Sequence, residues 1–215
     1  VHSGAVDIGI TGQDQIANAC VDVKEILPLR FGHCRLSVAV PEASGIRSIE
    51  DIPEGSRIAT SFVNVSKKFF ESVGKNVEIV EVTGAAEIMP YMGVSDFIVD
   101  LVSSGSTLKT NRLVEIQTIL ESEAVVLANH KSLETNEHEI SGITNAILSV
   151  MNAETKKYLM ADVPRSKLGD IEKALPGLAG PTVMELAGTS DMVAIHVVVD
   201  NNEIYDDVNK LKEFG

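Results

Sequence analysis

The spacing of apolar residues divides the chain into short elements. Val6-Asp7-Ile8-Gly9-Ile10 alternates apolar with small or polar residues, the two-residue period of a strand. Thr11-Gly12-Gln13-Asp14 then predicts a turn into a short helix. LSVAV at 36–40 is a nearly continuous apolar run ended by Pro41, as in a strand buried on both faces. Ser48 to Asp51 has the S-x-x-D spacing of a capped short helix. RIATS at 57–61 predicts a strand, Ser66–Gly74 a helix stopped by glycine, VEIVEV at 77–82 a strictly alternating strand, and FIVDLV at 97–102 another. Ala85–Gly93 reads as helical against the resistance of Pro90, which lacks an N–H. Strands alternating with short helices predict an open α/β sheet of parallel strands.

Further on, VEIQTILESEAVVLA at 114–128 predicts one bent strand or two. Ile140, Ile143, Ile147, Leu148 and Met151 give one apolar face of a helix. The character then changes. Tyr158–Val163 predicts a strand ending at Pro164, and Leu168, Ile171 and Leu175 a helix ended by Pro176-Gly177. Thr182–Leu186 and Met192–Val199 predict two strands, and Ile204, Val208, Leu211 and Phe214 a last helix. This β-α-β-β-α order is one strand short of a ferredoxin-like split βαβ. Both ends therefore read as cut: residue 1 is Val, a strand begins almost at once, and the chain stops on Gly215, a residue suited to a helix C-cap.

A length of 215 residues allows one or two domains of about 100–200 residues each. At 44% hydrophobic and 23% charged residues the composition is that of an ordinary globular protein, and no apolar run reaches the ~18–20 residues of a membrane span. Aromatics make only 4%, without Trp, so the core must be aliphatic. Eighteen Lys and Arg against 31 Asp and Glu give −13, a surface that repels nucleic acid and anionic membranes. A small anionic ligand remains compatible with a locally positive pocket, for which Arg35, Lys67, Lys68, Lys109 and Arg112 are the candidate cations. For each lysine, a solvated helix face is the simpler role. Cys20 and Cys34 stand apart with no C-x-x-C, which predicts buried free thiols. The five histidines are scattered singly, without metal-ligand spacing. No signal peptide is visible, and a cytoplasmic location is expected.

The segment that carries chemistry is Asp100-Leu-Val-Ser103-Ser104-Gly105-Ser106-Thr107-Leu108. An apolar strand, a loop of small residues and a helix start form an arrangement that cradles phosphate. Glycine lets the backbone approach, free N–H groups and the helix dipole favour an anion, and hydroxyls add donors. Asp100 repels phosphate but can accept hydrogen bonds from ribose hydroxyls, so the pair suits a phosphorylated sugar. An ordinary polar strand-to-helix turn is the plainer alternative.

Glu87, Gly93, Ser95, Ile98, Asp100, Leu101, Ser104, Gly105, Thr107 and Leu108 together match the signature of the ATP phosphoribosyltransferase family. DIGITGQD, FGHCRLSVAVP, RIATSF and ILESEAVVLAN resemble further family segments in the same order. The tail from Tyr158 to Ala187 resembles the regulatory domain of the long form, so the resemblance covers essentially the whole chain. It departs from the family only at its ends, where the family has an earlier strand and helix carrying Lys and Arg, and one later strand.

The resemblance implies a two-lobed, periplasmic-binding-protein-like catalytic part followed by an ACT-like, ferredoxin-like βαββα domain. Lobe I would comprise residues 1–39 and 116–152, lobe II residues 40–115, and the regulatory domain residues 153–215. It implies transfer of the phosphoribosyl group of phosphoribosyl pyrophosphate to N1 of ATP, the first step of histidine biosynthesis. Asp100, Ser103, Ser104, Gly105, Ser106 and Thr107 would bind phosphoribosyl pyrophosphate, with Gly12, Arg35 and Glu87 as further contacts and no general base. Mg²⁺ would arrive mainly on the substrate pyrophosphate. L-histidine would bind Asp162, Leu178, Thr182 and Val198 as a feedback inhibitor, in a homo-oligomer (dimer or hexamer). The competing readings are a two-lobed small-molecule-binding protein, since SIEDIPEGSRIATS is also at home in solute-binding proteins, and a non-catalytic regulatory subunit.

Overall fold

The computed structural model describes residues 1–175 and 180–214. Pro176, Gly177, Leu178 and Gly215, to which helix ends and an effector contact were assigned above, lie outside the described residues. The chain forms two compact units, Val1–Ile140 and Ser141–Gly215.

In the first unit, β1 (Ile8–Gly12), α1 (Gln13–Ala19) and β2 (Lys24–Pro28) lead into β3 (Cys34–Pro41). β4 (Ser56–Thr60), α2 (Val63–Ser72), β5 (Val77–Glu81), β6 (Phe97–Val102), α3 (Ser106–Thr110) and β7 (Leu113–Ser122) follow. β8 (Ala124–Ala128), α4 (His130–Thr135) and the start of α5 (Glu137–Thr155) complete it. Two sheets result, a three-stranded antiparallel one ordered β1-β8-β2 and a five-stranded one ordered β5-β4-β6-β3-β7. β3 is apolar on both faces because both are covered. Leu36, Val38 and Val40 pack with Phe70 and Phe97 in one core, and Ala39 packs with Ala59, Ile98 and Leu108 in another.

The larger sheet is mixed rather than parallel. β4 runs parallel to β5 and β6, whereas β3 is antiparallel to β6 and β7. β4, β5, β6 and β7 follow one another within this sheet and run the same way, joined by crossovers, whereas β3 enters it from the smaller sheet after β2, and β7 leaves it for β8. Both lie in the five-stranded sheet over their full lengths, so the chain changes sheet at residues 29–33 and at Glu123, not within β3 and β7. There Leu29 N–H donates to Ala124 O and Ala124 N–H to Phe31 O, at 2.9 and 3.0 Å, binding the two crossings together.

Three local expectations give way to proline or to shortness. Residues 48–51 make a turn, not a helix: Asp51 accepts from the Arg47 and Ser48 N–H groups, and Pro53 follows at once. Residues 85–93 hold one 3₁₀ turn at Ala86–Ile88, with Pro90 preventing its extension. β2 was not anticipated, being short, bulged at Glu25/Leu27 and closed by Pro28. The two thiols are free, but Cys20 is exposed and Cys34 half-buried, which corrects the expectation that both are buried.

The second unit contains β9 (Lys156–Pro164), α6 (Leu168–Ala174), β10 (Thr182–Glu185), β11 (Met192–Asp200) and α7 (Ile204–Phe214). Its sheet is antiparallel, ordered β10-β11-β9. On β11, Val193, Ile195, Val197 and Val199 are buried with Ile171, Leu175 and Leu211 of the helices, and the alternate residues Ala194, His196 and Val198 face the other way. This is the β-α-β-β-α arrangement expected from the period of the sequence. No helix among the described residues is long and apolar enough to cross a membrane.

Candidate functional site

At the end of β6 the chain leaves the sheet after buried Val102 and turns through Ser103, Ser104 and Gly105. Gly105 has φ +75°, a left-handed conformation that a side chain would strain. The N–H groups of Ser104 and Gly105 make no hydrogen bond within the described residues, and the Ser104 and Ser106 hydroxyls lie 3.0 Å apart. These donors line a 320 Å³ cavity with Glu87, Asp100 and Thr107. α3 has only five residues, so its dipole adds little; backbone N–H groups and hydroxyls supply the donors.

Asp100 sits within β6 and is half-buried. Burial pushes its carboxyl above the usual carboxylate range, and the charge of Glu87 acts in the same direction against a hydrogen bond from the Leu101 N–H. On the neighbouring strand Asp100 stands directly opposite Ser37. Ser37, fully buried, donates to Glu115 Oε1 at 2.8 Å. Glu115 in turn receives a two-pronged grip from Arg35, through Nε and Nη2 at 2.6 Å each, and Arg35 Nη1 donates to the Ser103 carbonyl at 3.3 Å. Arg35 holds the Glu115 carboxyl below its ordinary range, helped by Ser37 and Thr118 and opposed by burial.

The structure thus brings Glu87, Asp100 and residues 103–107 together, with Arg35 against the loop's first carbonyl. Gly12 does not line this cavity. It ends β1, where an added Cβ would strike the Asp14 carboxylate, which is buried and accepts from the Ser122 hydroxyl at 2.6 Å. Packing beside the sheet crossing accounts for that glycine. Lys67 lies on a solvated helix face four residues from Glu71, and Lys68 Nζ reaches Cys20 Sγ at 3.0 Å. Glu115 went unnoticed in the sequence, where its one signal is an acid inside the apolar run of β7.

In the second unit Asp162, Thr182 and Val198 come from three adjacent strands and share the uncovered face of the sheet. Asp162 pairs in register with Ala194, Thr182 with His196 and Val198 with Tyr158. Tyr158 Oη and His196 Nδ1 are 2.7 Å apart on the same face.

Comparison with known proteins decides among the readings. The family model for ATP phosphoribosyltransferase (HisG) matches residues 1–149, and that for the HisG C-terminal domain matches residues 153–215. The chain belongs to the ATP phosphoribosyltransferase family. Relatives named ATP phosphoribosyltransferase include those of Methanocaldococcus jannaschii, 45% identical over 100% of this chain and 76% of that protein. The protein of Methanocella arvoryzae is 46% identical over 100% of this chain and 75% of its own length. Among solved structures, the ATP phosphoribosyl transferase (HisG:HisZ) complex from Thermotoga maritima superposes with a TM-score of 0.65 at 30% identity, covering 70% of this chain and 73% of that one. A putative L-cystine ABC transporter protein from Listeria monocytogenes shares the fold, with a TM-score of 0.51 at 15% identity over 72% of this chain and 67% of that one. The two-lobed architecture is therefore common to both groups, but membership of the ATP phosphoribosyltransferase family makes this chain a transferase. The solute-binding reading falls away.

Proposed function

We propose that the chain transfers a 5-phosphoribosyl group from phosphoribosyl pyrophosphate to N1 of ATP, using the loop after β6 as its phosphate cradle. The N1 lone pair forms the new bond to ribose C1 while the C1–O bond breaks, its electron pair leaving with pyrophosphate. N1 carries no proton, so no general base is needed, and the protein's task is positioning and charge stabilisation. Ser103 to Thr107 hold the 5-phosphate through N–H and hydroxyl donors, and Asp100 accepts from the ribose hydroxyls beside Glu87. The observation that carries this reading is the convergence of a carboxylate on β6 and unpaired loop N–H groups on one cavity.

Mg²⁺ enters this scheme on the pyrophosphate. Among the described residues no three His, Cys, Asp or Glu side chains converge on a point. Glu87 and Asp100 nevertheless offer the cavity two carboxylates, the hard oxygen donors that Mg²⁺ takes alongside substrate phosphates. A bound Mg²⁺ would neutralise charge on the leaving group, and the unfavourable ionisation of Asp100 is the environment that a cation relieves.

The catalytic part is read as two lobes, one on each sheet of the first unit. The second unit is read as a regulatory domain that takes L-histidine on the face carrying Asp162, Thr182 and Val198. The enzyme is read as a cytoplasmic homo-oligomer.

Gly105→Val removes the close backbone approach, and Asp100→Ala removes the ribose acceptor. Each should lower affinity for phosphoribosyl pyrophosphate by tenfold or more, about the worth of one charge-assisted contact, as read by isothermal titration, with turnover lost in the same variants. Unchanged affinity in both would remove the loop from the active site.

A further inference from the structure

We propose that Glu115 is a positioning residue for the phosphate loop, acting through Arg35 on the Ser103 carbonyl. The inference rests on the reading of residues 103–107 as the phosphate cradle. Three of the five N–H donors of the Arg35 guanidinium are used here: one on Nε and one on Nη2 go to Glu115, and one on Nη1 goes to the first carbonyl of the loop. Its side-on fork, the Nε and Nη2 edge, is therefore turned to Glu115. A side-on grip on phosphate would require breaking two hydrogen bonds of 2.6 Å with an ionised carboxylate.

The geometry shows what the pair does instead. A trans peptide is planar, with its C=O and N–H on opposite edges. Holding the Ser103 carbonyl toward Arg35 therefore turns the Ser104 N–H away from it, and that N–H is one of the donors without a partner in the described residues. Glu115 is itself fixed, by Ser37 Oγ at 2.8 Å and Thr118 Oγ1 at 3.3 Å, so the whole row is anchored in β3 and β7 rather than in the loop. Neutralising Arg35 with Glu115 also leaves phosphate recognition to uncharged donors. A simpler role, a staple between β3 and β7, predicts lost stability without a selective loss of one substrate.

The test is steady-state kinetics and titration on the full chain in its native assembly, for Glu115→Gln, Arg35→Lys, Ser37→Ala and the Arg35→Lys/Glu115→Gln pair, with Gly105→Val as control. Glu115→Gln and Arg35→Lys should each raise KM and Kd for phosphoribosyl pyrophosphate about tenfold. The turnover number and the KM for ATP should stay within about twofold. Ser37→Ala, which keeps both charges, should shift the same constant less. The double variant should be no worse than the worse single one, because both act through one contact.

Normal phosphoribosyl pyrophosphate affinity in folded Glu115→Gln overturns the proposal. So does weakening by Arg35→Lys alone, which would mean that Arg35 touches substrate itself. Equal changes in both KM values and in turnover, tracking the melting temperature, would reduce the pair to a strand staple and also overturn it. If Gly105→Val binds normally, the cradle reading fails. If Gly105→Val loses binding while Glu115→Gln keeps it, only the positioning role fails.

Discussion

Asp100 and Glu115 are carboxylates beside the same buried residue, Ser37, the first as its register partner and the second as its hydrogen-bond acceptor, yet their surroundings push them in opposite directions. Burial raises the Asp100 pKa, so the folded chain takes up that proton at a higher pH than the unfolded chain does. Its ionisation therefore costs stability, progressively as pH rises from the ordinary carboxylate value to the raised one and in full above it. Glu115, lowered chiefly by Arg35, contributes stability above its ordinary value, and that contribution is lost only as pH falls through the lowered one. Asp100→Asn should thus raise the melting temperature at neutral pH. The gain should vanish at acid pH, where Asp100 is protonated. Differential scanning calorimetry at pH 7.5 and pH 4 would show it, and the same variant should turn over poorly, since a site built to hold a charge gives up stability for function.

Between elements, α1 and α2 are joined by a reciprocal pair of asparagines. Asn18 Oδ1 accepts from the Asn64 N–H at 3.0 Å, Asn64 Nδ2 donates to Asn18 O at 2.7 Å, and Asn18 Nδ2 donates to Ser61 O at 3.2 Å. Phe62, the residue before α2, provides no side-chain cap, so Asn18 caps that helix from another element. Asn18→Ala should cost about 1–2 kcal/mol, measured by urea unfolding, with Asn18→Asp costing less because it keeps an acceptor for the Asn64 N–H. This contact was illegible in the sequence because its partners are 46 residues apart. β5 and α7 were legible from a clean two-residue or helical period, and β3, β6 and β11 from near-continuous apolar runs. The turns at 48–51 and 85–93 were overread because capping spacing and helix-forming residues persist up to a proline that forbids the helix. In the site, Asp100 and the loop could be read from a local run of small residues. The Ser37–Glu115–Arg35 row could not, since sheet pairing alone brings those residues to the loop.

Across the whole chain the charge of −13 and a reaction between two polyanions stand in apparent conflict. The proposed phosphate loop would lessen it by relying on neutral donors, and the family match extends over both units, so catalysis and its control are read as belonging to one chain. On the proposed effector face, Asp162→Ala should abolish inhibition by L-histidine, a loss of about 5–150-fold in the coupling between the two ligands. Inhibition assays at fixed phosphoribosyl pyrophosphate would read it, and wild-type inhibition that competes with ATP would move the effector elsewhere. The five-stranded sheet has a consequence for how the chain is made. Cys34 and Ser122, the first residue of β3 and the last of β7, are register partners, so the segment between them begins and ends at one place. Such a segment is an insertion whose ends already meet, able to collapse on its own contacts while the host sheet is still open. β8 is the middle strand of that host sheet and is synthesised after the insertion. Prior closure of the insertion delivers β8 beside β1 and β2 at little entropic cost, in place of closing one long flexible loop.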